Sequence, residues 1–320
     1  SVSWLRNVQT FMNTSGNSVC DPVRALLDAP ENAVLAIVAG THGPSYRPVG
    51  AMMAVLDETR RAGSLSSGCI EADISLQAAR VRKTGRPAII RYGEKSPYVD
   101  IQLPCGGALD ILLLPDPDRQ VLAELVREHE ARRPCTLVVE TDSGALSLAA
   151  SGSTRREGDR LQVRVEPDIQ FQVFGKGPEA ATFASLVRSA GYPAVLLSPD
   201  TETLEACSGT GCMTHHLSRA AYPAHLDADE RTAIVLFFHD HDWGPPILAG
   251  ALQTPAFYIG AQGGRRARKA RLEALAAMGV TATECERLRG PVGLIPSARD
   301  PSTLAVSVLA EVLARAMAGP

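Results

Sequence analysis

Apolar and polar positions follow two rhythms along this chain. In the first third, short apolar runs are separated by glycine, proline and polar clusters, which is the spacing of strands and tight turns. Residues 34–40 read as a strand, Thr41-His42-Gly43-Pro44 as a loop, and residues 50–56 as a second strand. The turn Asp57-Glu58-Thr59 would let residues 61–65 pair back as a hairpin. Over 69–83 the rhythm becomes helical. Ile70, Ile74, Leu76, Ala79 and Val81 form a partly apolar face, and Gly85 supplies a stop. Strands are expected at 88–92, 98–103 and 108–114, and a helix after Asp21-Pro22.

Pro115-Asp116-Pro117-Asp118 interrupts the pattern. A short helix at 121–131 and strands at 136–140, 145–149 and 161–165 follow. After Pro167 strand and helix alternate: strands at 169–174, 194–197, 233–238 and 256–259, and helices at 178–190, 246–252, 265–278 and 301–317. Such alternation predicts a parallel sheet with helices on both faces. The expected architecture is an N-terminal α+β domain (1–115), a connector (116–166) and a Rossmann-like, doubly wound α/β domain (167–320).

Candidate chemistry concentrates at glycine-rich joints. Residues 63–71, Gly-Ser-Leu-Ser-Ser-Gly-Cys-Ile-Glu, place Cys69 and Glu71 at a helix start, and Cys105-Gly106-Gly107 lies between two strand runs. Glycines allow close backbone approach, and a helix N-terminus favours anions and lowers a thiol's pKa. Two such thiols suggest soft-metal or sulfur handling. His42, Tyr46 and Arg47 occupy a glycine/proline loop, where they line a pocket or are ordinary loop residues.

In the second half, Gly175-Lys176-Gly177-Pro178-Glu179-Ala180 is a G-x-G-x-x-A loop between strand and helix. It is either a phosphate loop or a turn kept for packing. The acidic residue expected at the end of the next strand is replaced by Ser198, with Asp200 two positions on. Gly263-Gly264-Arg265-Arg266 repeats the loop–helix idea, and cations in a first helical turn make sense around a bound anion. His239-Asp240-His241-Asp242 closes an apolar strand, as metal ligands or as a hydrogen-bonded loop. Cys207 and Cys212, with His215 and His216 behind them, lack the partner pair of a zinc knuckle, and a flexible loop is expected there. Cys20, Cys135 and Cys285 read as plain buried or surface thiols.

Composition narrows the class. A hydrophobic content of 45% fills ordinary cores, and a net charge of −3 gives no reason to expect nucleic acid. Seven irregularly spaced cysteines point to reduced thiols and hence a cytoplasmic protein. There is no apolar run long enough for a membrane span, and residues 1–17 lack a signal-peptide layout.

The ordered motifs resemble those of the XdhC/CoxI family of xanthine dehydrogenase accessory factors. They are the 44–50 loop Pro-Ser-Tyr-Arg-Pro-Val-Gly, the 63–71 segment, Cys-Gly-Gly at 105–107, the Gly175 loop, Phe-His-Asp-His at 238–241, Tyr-Ile-Gly-Ala-Gln-Gly at 258–263 and Pro-Val-Gly-Leu at 291–294. The resemblance implies a non-enzymatic chaperone that binds molybdenum cofactor, keeps it sulfurated and delivers it to a molybdenum hydroxylase apoenzyme such as xanthine dehydrogenase. A homodimer and a cysteine desulfurase-type sulfur donor would fit this role. Cys69 and Cys105 would face the molybdenum; Arg47, Glu71, Gly106, Gly107, Gly175, Gly177, His239, Asp240, His241, Gly263, Arg265 and Arg266 would complete a site for molybdopterin or its dinucleotide form. Lys176-Gly177-Pro178, where family members commonly show Ala-Gly-His, and Ser198 both depart from the pattern. The alternative is an NAD(P)-dependent oxidoreductase using the Gly175 loop with His241 moving a proton; a scaffold protein of a hydroxylase complex is a third reading.

Overall fold

The computed structural model describes residues 18–29, 31–66, 68, 70–94, 106–239 and 242–318. Two compact units divide at Asp168. The first contains α1 (Asp21–Asp28), β1 (Val34–His42), β2 (Met52–Val55), β3 (Arg61–Ala62), α2 (Glu71–Thr84), β4 (Ala88–Gly93), β5 (Ala108–Pro115), α3 (Arg119–Glu130), β6 (Cys135–Glu140), β7 (Leu146–Ala149), β8 (Arg155–Glu157) and β9 (Arg160–Val165). The strand expected at 98–103 lies outside the described residues.

The period-two alternation of β1 explains the layering of this unit. Its sheet has the order β3-β2-β1-β5-β4, with every pairing antiparallel. Leu35 and Ile37 point into a core shared with Val23 and Leu26 of α1, Leu122 and Leu125 of α3, and Leu137, Val139, Leu161 and Val163 of a second antiparallel sheet, β7-β6-β9-β8. Val34, Ala36 and Val38 point the other way, against Ile74, Ala78 and Val81 of α2. A strand covered on both faces must be apolar throughout, as β1 is over residues 34–39. Helix α2 ends where the sequence predicts, at Gly85 with φ of 63°.

The second unit carries β10 (Gln170–Gly175), α4 (Pro178–Ser189), β11 (Ala194–Ser198), α5 (Thr201–Glu205), β12 (Met213–His216), β13 (Thr232–Phe237), α6 (Gly244–Ala251), β14 (Tyr258–Ala261), α7 (Arg265–Ala277), α8 (Ala282–Glu286), β15 (Leu288–Arg289) and α9 (Pro301–Met317). Among the described residues its six strands are all parallel, in the order β12-β11-β10-β13-β14-β15. This is the doubly wound arrangement, with its switch point between β10 and β13. Phe171 and Val173 pack under α4 and α9, and Phe174, Ile234 and Leu236 under α6 and α7.

The 207–216 stretch, expected to be a flexible loop, is tied down. Cys207 is fully buried, and its thiol donates to the Ala181 carbonyl at 3.3 Å. Residues 213–216 form the parallel edge strand β12, paired with β11 from Val195↔Met213 to Ser198↔His216. That pairing is non-local, so local periodicity carries no trace of it. Among the described residues no helix is long and apolar enough to cross a membrane.

Candidate functional site

The register of the first sheet brings three loop motifs to one end. His42, the last residue of β1, lies opposite Ala108, the first of β5, and Ala108 lies opposite Gly93, the last of β4. Strand β3 runs antiparallel to β2, so the 63–71 loop leaves the sheet toward this end, and the 42–50 loop enters β2 from it. At Gly107 a Cβ would lie 2.1 Å from the Pro44 carbonyl oxygen and 2.8 Å from that of His42. At Gly93, where φ is 90°, it would lie 2.2 Å from the Gly107 carbonyl oxygen. Backbone contact this close admits only glycine.

The 63–71 loop is held by the residue that ends it. Glu71 is 6% exposed. Its Oε1 accepts from the Ser64 hydroxyl (2.7 Å) and the amides of Leu65 (3.1 Å) and Ser66 (2.8 Å). Its Oε2 accepts from the Ser66 hydroxyl (2.6 Å) and the Ile70 amide (3.2 Å). Burial pushes the carboxyl pKa up, but the Ser66 and Ser64 hydrogen bonds outweigh it and bring the value to about 2. Both carboxylate oxygens are engaged within the loop, so Glu71 shapes the segment that carries Cys69. Cys69 and Cys105 lie outside the described residues.

Beside these loops Asp110 accepts from Arg91 Nε (2.7 Å) and Nη2 (2.8 Å), and its Oδ2 lies 3.1 Å from His42 Nε2. The Arg91 hydrogen bonds outweigh burial and hold the Asp110 carboxyl below the usual range. At Gly40 a Cβ would lie 3.1 Å from Asp110 Oδ2, so the small residue leaves the carboxylate its place. Sequence reasoning missed Arg91 and Asp110. Their signal is one opposite charge inside each of two neighbouring apolar runs. Arg47 and Tyr46 are exposed, and the Ser45 hydroxyl closes their loop on the Arg47 carbonyl at 2.7 Å.

In the second unit the Gly175 loop is tightly packed. A Cβ at Gly175 would lie 2.7 Å from Ala180 Cβ and 2.8 Å from the Phe237 carbonyl oxygen, so this glycine seats α4 on the sheet. Gly177 adopts φ of 91° and donates its amide to Thr203 Oγ1 at 2.8 Å. Asp200 Oδ2 caps α5 by accepting from the Thr203 amide (2.9 Å) and hydroxyl (2.5 Å), which hold its pKa down. Ser198 is fully buried at the end of β11.

At the carboxyl ends of β13 and β14 lies a cavity of about 140 Å³, bordered by Leu236, Phe238, His239, Gly244, Gln262, Gly263, Ala267 and Arg271. His239 Nε2 also approaches Glu179 Oε1 at 3.6 Å. Asp240 and His241 lie outside the described residues, and among the described residues no cluster suits a metal ion. Arg265 and Arg266 stand exposed on the first turn of α7. The arginine turned toward the cavity is Arg271, 9% exposed, whose Nη2 donates to the Gln262 carbonyl at 2.6 Å. Its Nη1 and the Gln262 Oε1 are buried without a hydrogen-bond partner. Burial, then Arg268 nearby, lowers the Arg271 pKa. A buried polar group left unpaired costs about 1–3 kcal/mol, more when charged.

A loop-built antiparallel unit joined to a doubly wound unit defines the class: a two-part protein with glycine joints at both sheet ends. Residues 26–93 match the model described as XdhC and CoxI family, and residues 171–312 that of the XdhC Rossmann domain. The chain belongs to the XdhC/CoxI family. It is 33% identical over 312 residues to the molybdenum cofactor insertion chaperone PaoD of Escherichia coli (strain K12), covering 97% of this chain and 91% of that protein. It is 24% identical over 325 residues to a probable xanthine dehydrogenase subunit of Bacillus subtilis (strain 168), covering 90% of this chain and 94% of that protein. The crystal structure of a xanthine dehydrogenase from Bacillus halodurans shares the fold at a TM-score of 0.78 and 19% identity, over 95% of this chain and 97% of that one.

Proposed function

We propose that this protein is a molybdenum cofactor insertion chaperone serving a molybdenum enzyme. It holds the cofactor in its sulfurated form and passes it to an apoenzyme of the xanthine dehydrogenase type, acting in the cytoplasm as a homodimer that receives sulfur from a cysteine desulfurase-type donor. The observation that carries this reading is the convergence of the 42–50, 63–71 and 93–107 loops at one end of a sheet, with Glu71 pinning the segment that bears Cys69 and Gly107 wedged against Pro44 and His42. Soft thiolates at positions 69 and 105 suit molybdenum with its sulfur ligands. Within the second unit, the unpartnered Nη1 of Arg271 suits an anionic group. The second reading, an NAD(P)-dependent oxidoreductase, would place pyrophosphate against the Gly177 amide, which Thr203 already occupies.

The test is the molybdenum and pterin content of protein purified anaerobically from cells that make the cofactor. Near-stoichiometric pterin is expected in the wild type, with loss in the Cys69→Ala/Cys105→Ala double variant. Absence of pterin from the wild type sinks the carrier reading, and undiminished pterin in the variant sinks the thiol role.

A further inference from the structure

One arm of the Arg271 guanidinium, Nη1, is buried without a partner, and the fold does not explain it. Arg271 sits on α7, a 13-residue helix, and is nine-tenths buried. Gly263 and Gly290 flank the guanidinium at ordinary contact distance: a Cβ at Gly263 would lie 3.4 Å from Nη2, and one at Gly290 3.8 Å from Nη1. Among the described residues, no carboxylate lines the adjoining cavity. The start of the same helix carries no side-chain cap at Gly264, so its first-turn amides also lack a side-chain acceptor. Among the described residues that line this space, none carries a negative charge to answer Arg271.

We propose that this cavity is an oxyanion subsite for a phosphate-type group, read by Arg271, the first-turn amides of α7 and the Gln262 side chain, whose amide turns to exchange its unpartnered Oε1 for the Nε2 donor. The size limits the ligand. At about 140 Å³ the cavity is well below the ~300–1,000 Å³ of a site for a whole drug-sized molecule. The cavity takes one anionic group, either a free ion or the phosphate end of a larger ligand whose remainder lies outside. Arginine is always charged and its planar fork matches an oxyanion, and a helix N-terminus adds a favourable dipole. The inference rests on the chaperone reading only for the identity of the larger ligand; the subsite itself stands apart from it.

The test uses the full chain, with thermal shift and calorimetry for inorganic phosphate and for cytidine monophosphate. The wild type should be stabilised by at least one of them. Tighter binding of the monophosphate assigns the cavity to an ester end, and binding of phosphate alone assigns it to the free ion. Arg271→Met and Gln262→Leu should each weaken binding tenfold or more. Ala267→Glu keeps the fold testable should Arg271→Met unfold. It places a carboxylate at the third position of α7, where the helix dipole favours it, so it should raise the Tm of the ligand-free protein and abolish the phosphate response. No response of the wild type to either probe at 10 mM, or a response unchanged in Gln262→Leu and Ala267→Glu, overturns the proposal. Phosphate binding in a protein that carries no pterin would retire the chaperone reading and leave the subsite standing.

Discussion

Two buried charges behave in opposite ways in this molecule. Glu71, in the first unit, accepts five hydrogen bonds from the loop around it. Arg271, in the second, is buried to a similar degree and has one arm without a partner. A satisfied charge fixes the shape of its surroundings, whereas an unsatisfied one raises the energy of the ligand-free state and favours whatever can pair with it. The first unit therefore uses charge to preform a loop, and the second keeps charge in reserve for a ligand.

The largest effect should come from Glu71. Its folded pKa of about 2 lies below the ordinary 4.5, so its contribution is fully present above pH 4.5 and is lost as pH falls through 2. Glu71→Gln should cost about 3 kcal/mol at neutral pH, measured by urea unfolding, and flatten the stability profile between those two values. An unchanged profile would place Glu71 among ordinary surface carboxylates and erase the contrast with Arg271.

Gly107→Ala is next. The added methyl meets the Pro44 carbonyl oxygen at 2.1 Å, so the 42–50 and 93–107 loops must separate. The expected cost is about 2 kcal/mol, together with loss of pterin from the purified protein. A variant that loses neither stability nor pterin would show that the loop junction can be opened without consequence. Asp110→Asn should be milder, at about 1 kcal/mol in thermal unfolding, because Arg91 is about one-third exposed and regains water. A loss as large as that of Glu71→Gln would mean the His42–Asp110–Arg91 group is as closed as the 63–71 network.

Much of this architecture was legible because the relevant signals are local. The apolar run of β1, the Gly85 stop and the strand–glycine–helix joints at 175 and 263 each report on their own neighbourhood. The edge strand β12 was hidden because it exists only through pairing with β11. The same distinction divides the candidate site. Glu71 stood inside a motif, and its role as the anchor of that motif depends on a loop folding back over five to seven residues. Arg271 looked like one more cation on the basic helix that begins with Arg265 and Arg266. Only the helical turn, which carries position 271 inward while 265 and 266 face water, separates it from them. Gly175 read equally well as a phosphate loop or as packing, and the distance to Ala180 shows a packing demand that composition cannot convey.

An effect of the same small size as that of Asp110→Asn is expected at the Gly175 loop, where the two kinds of buried polar group meet. Thr203 Oγ1 accepts the Gly177 amide and donates to Asp200, so Thr203→Val removes both bonds with little change of shape. The expected loss is about 1 kcal/mol, the cost of one unpaired amide and one weakened cap. The variant also turns this satisfied joint into one resembling the Arg271 cavity, with a donor left waiting. If burial without a partner is what makes a ligand site, Thr203→Val should gain affinity for NADH or NADPH that the wild type lacks, seen as a dinucleotide-dependent rise in Tm. Equal stabilisation of wild type and variant would mean the Gly175 loop already binds dinucleotide around Thr203, and would restore the oxidoreductase reading.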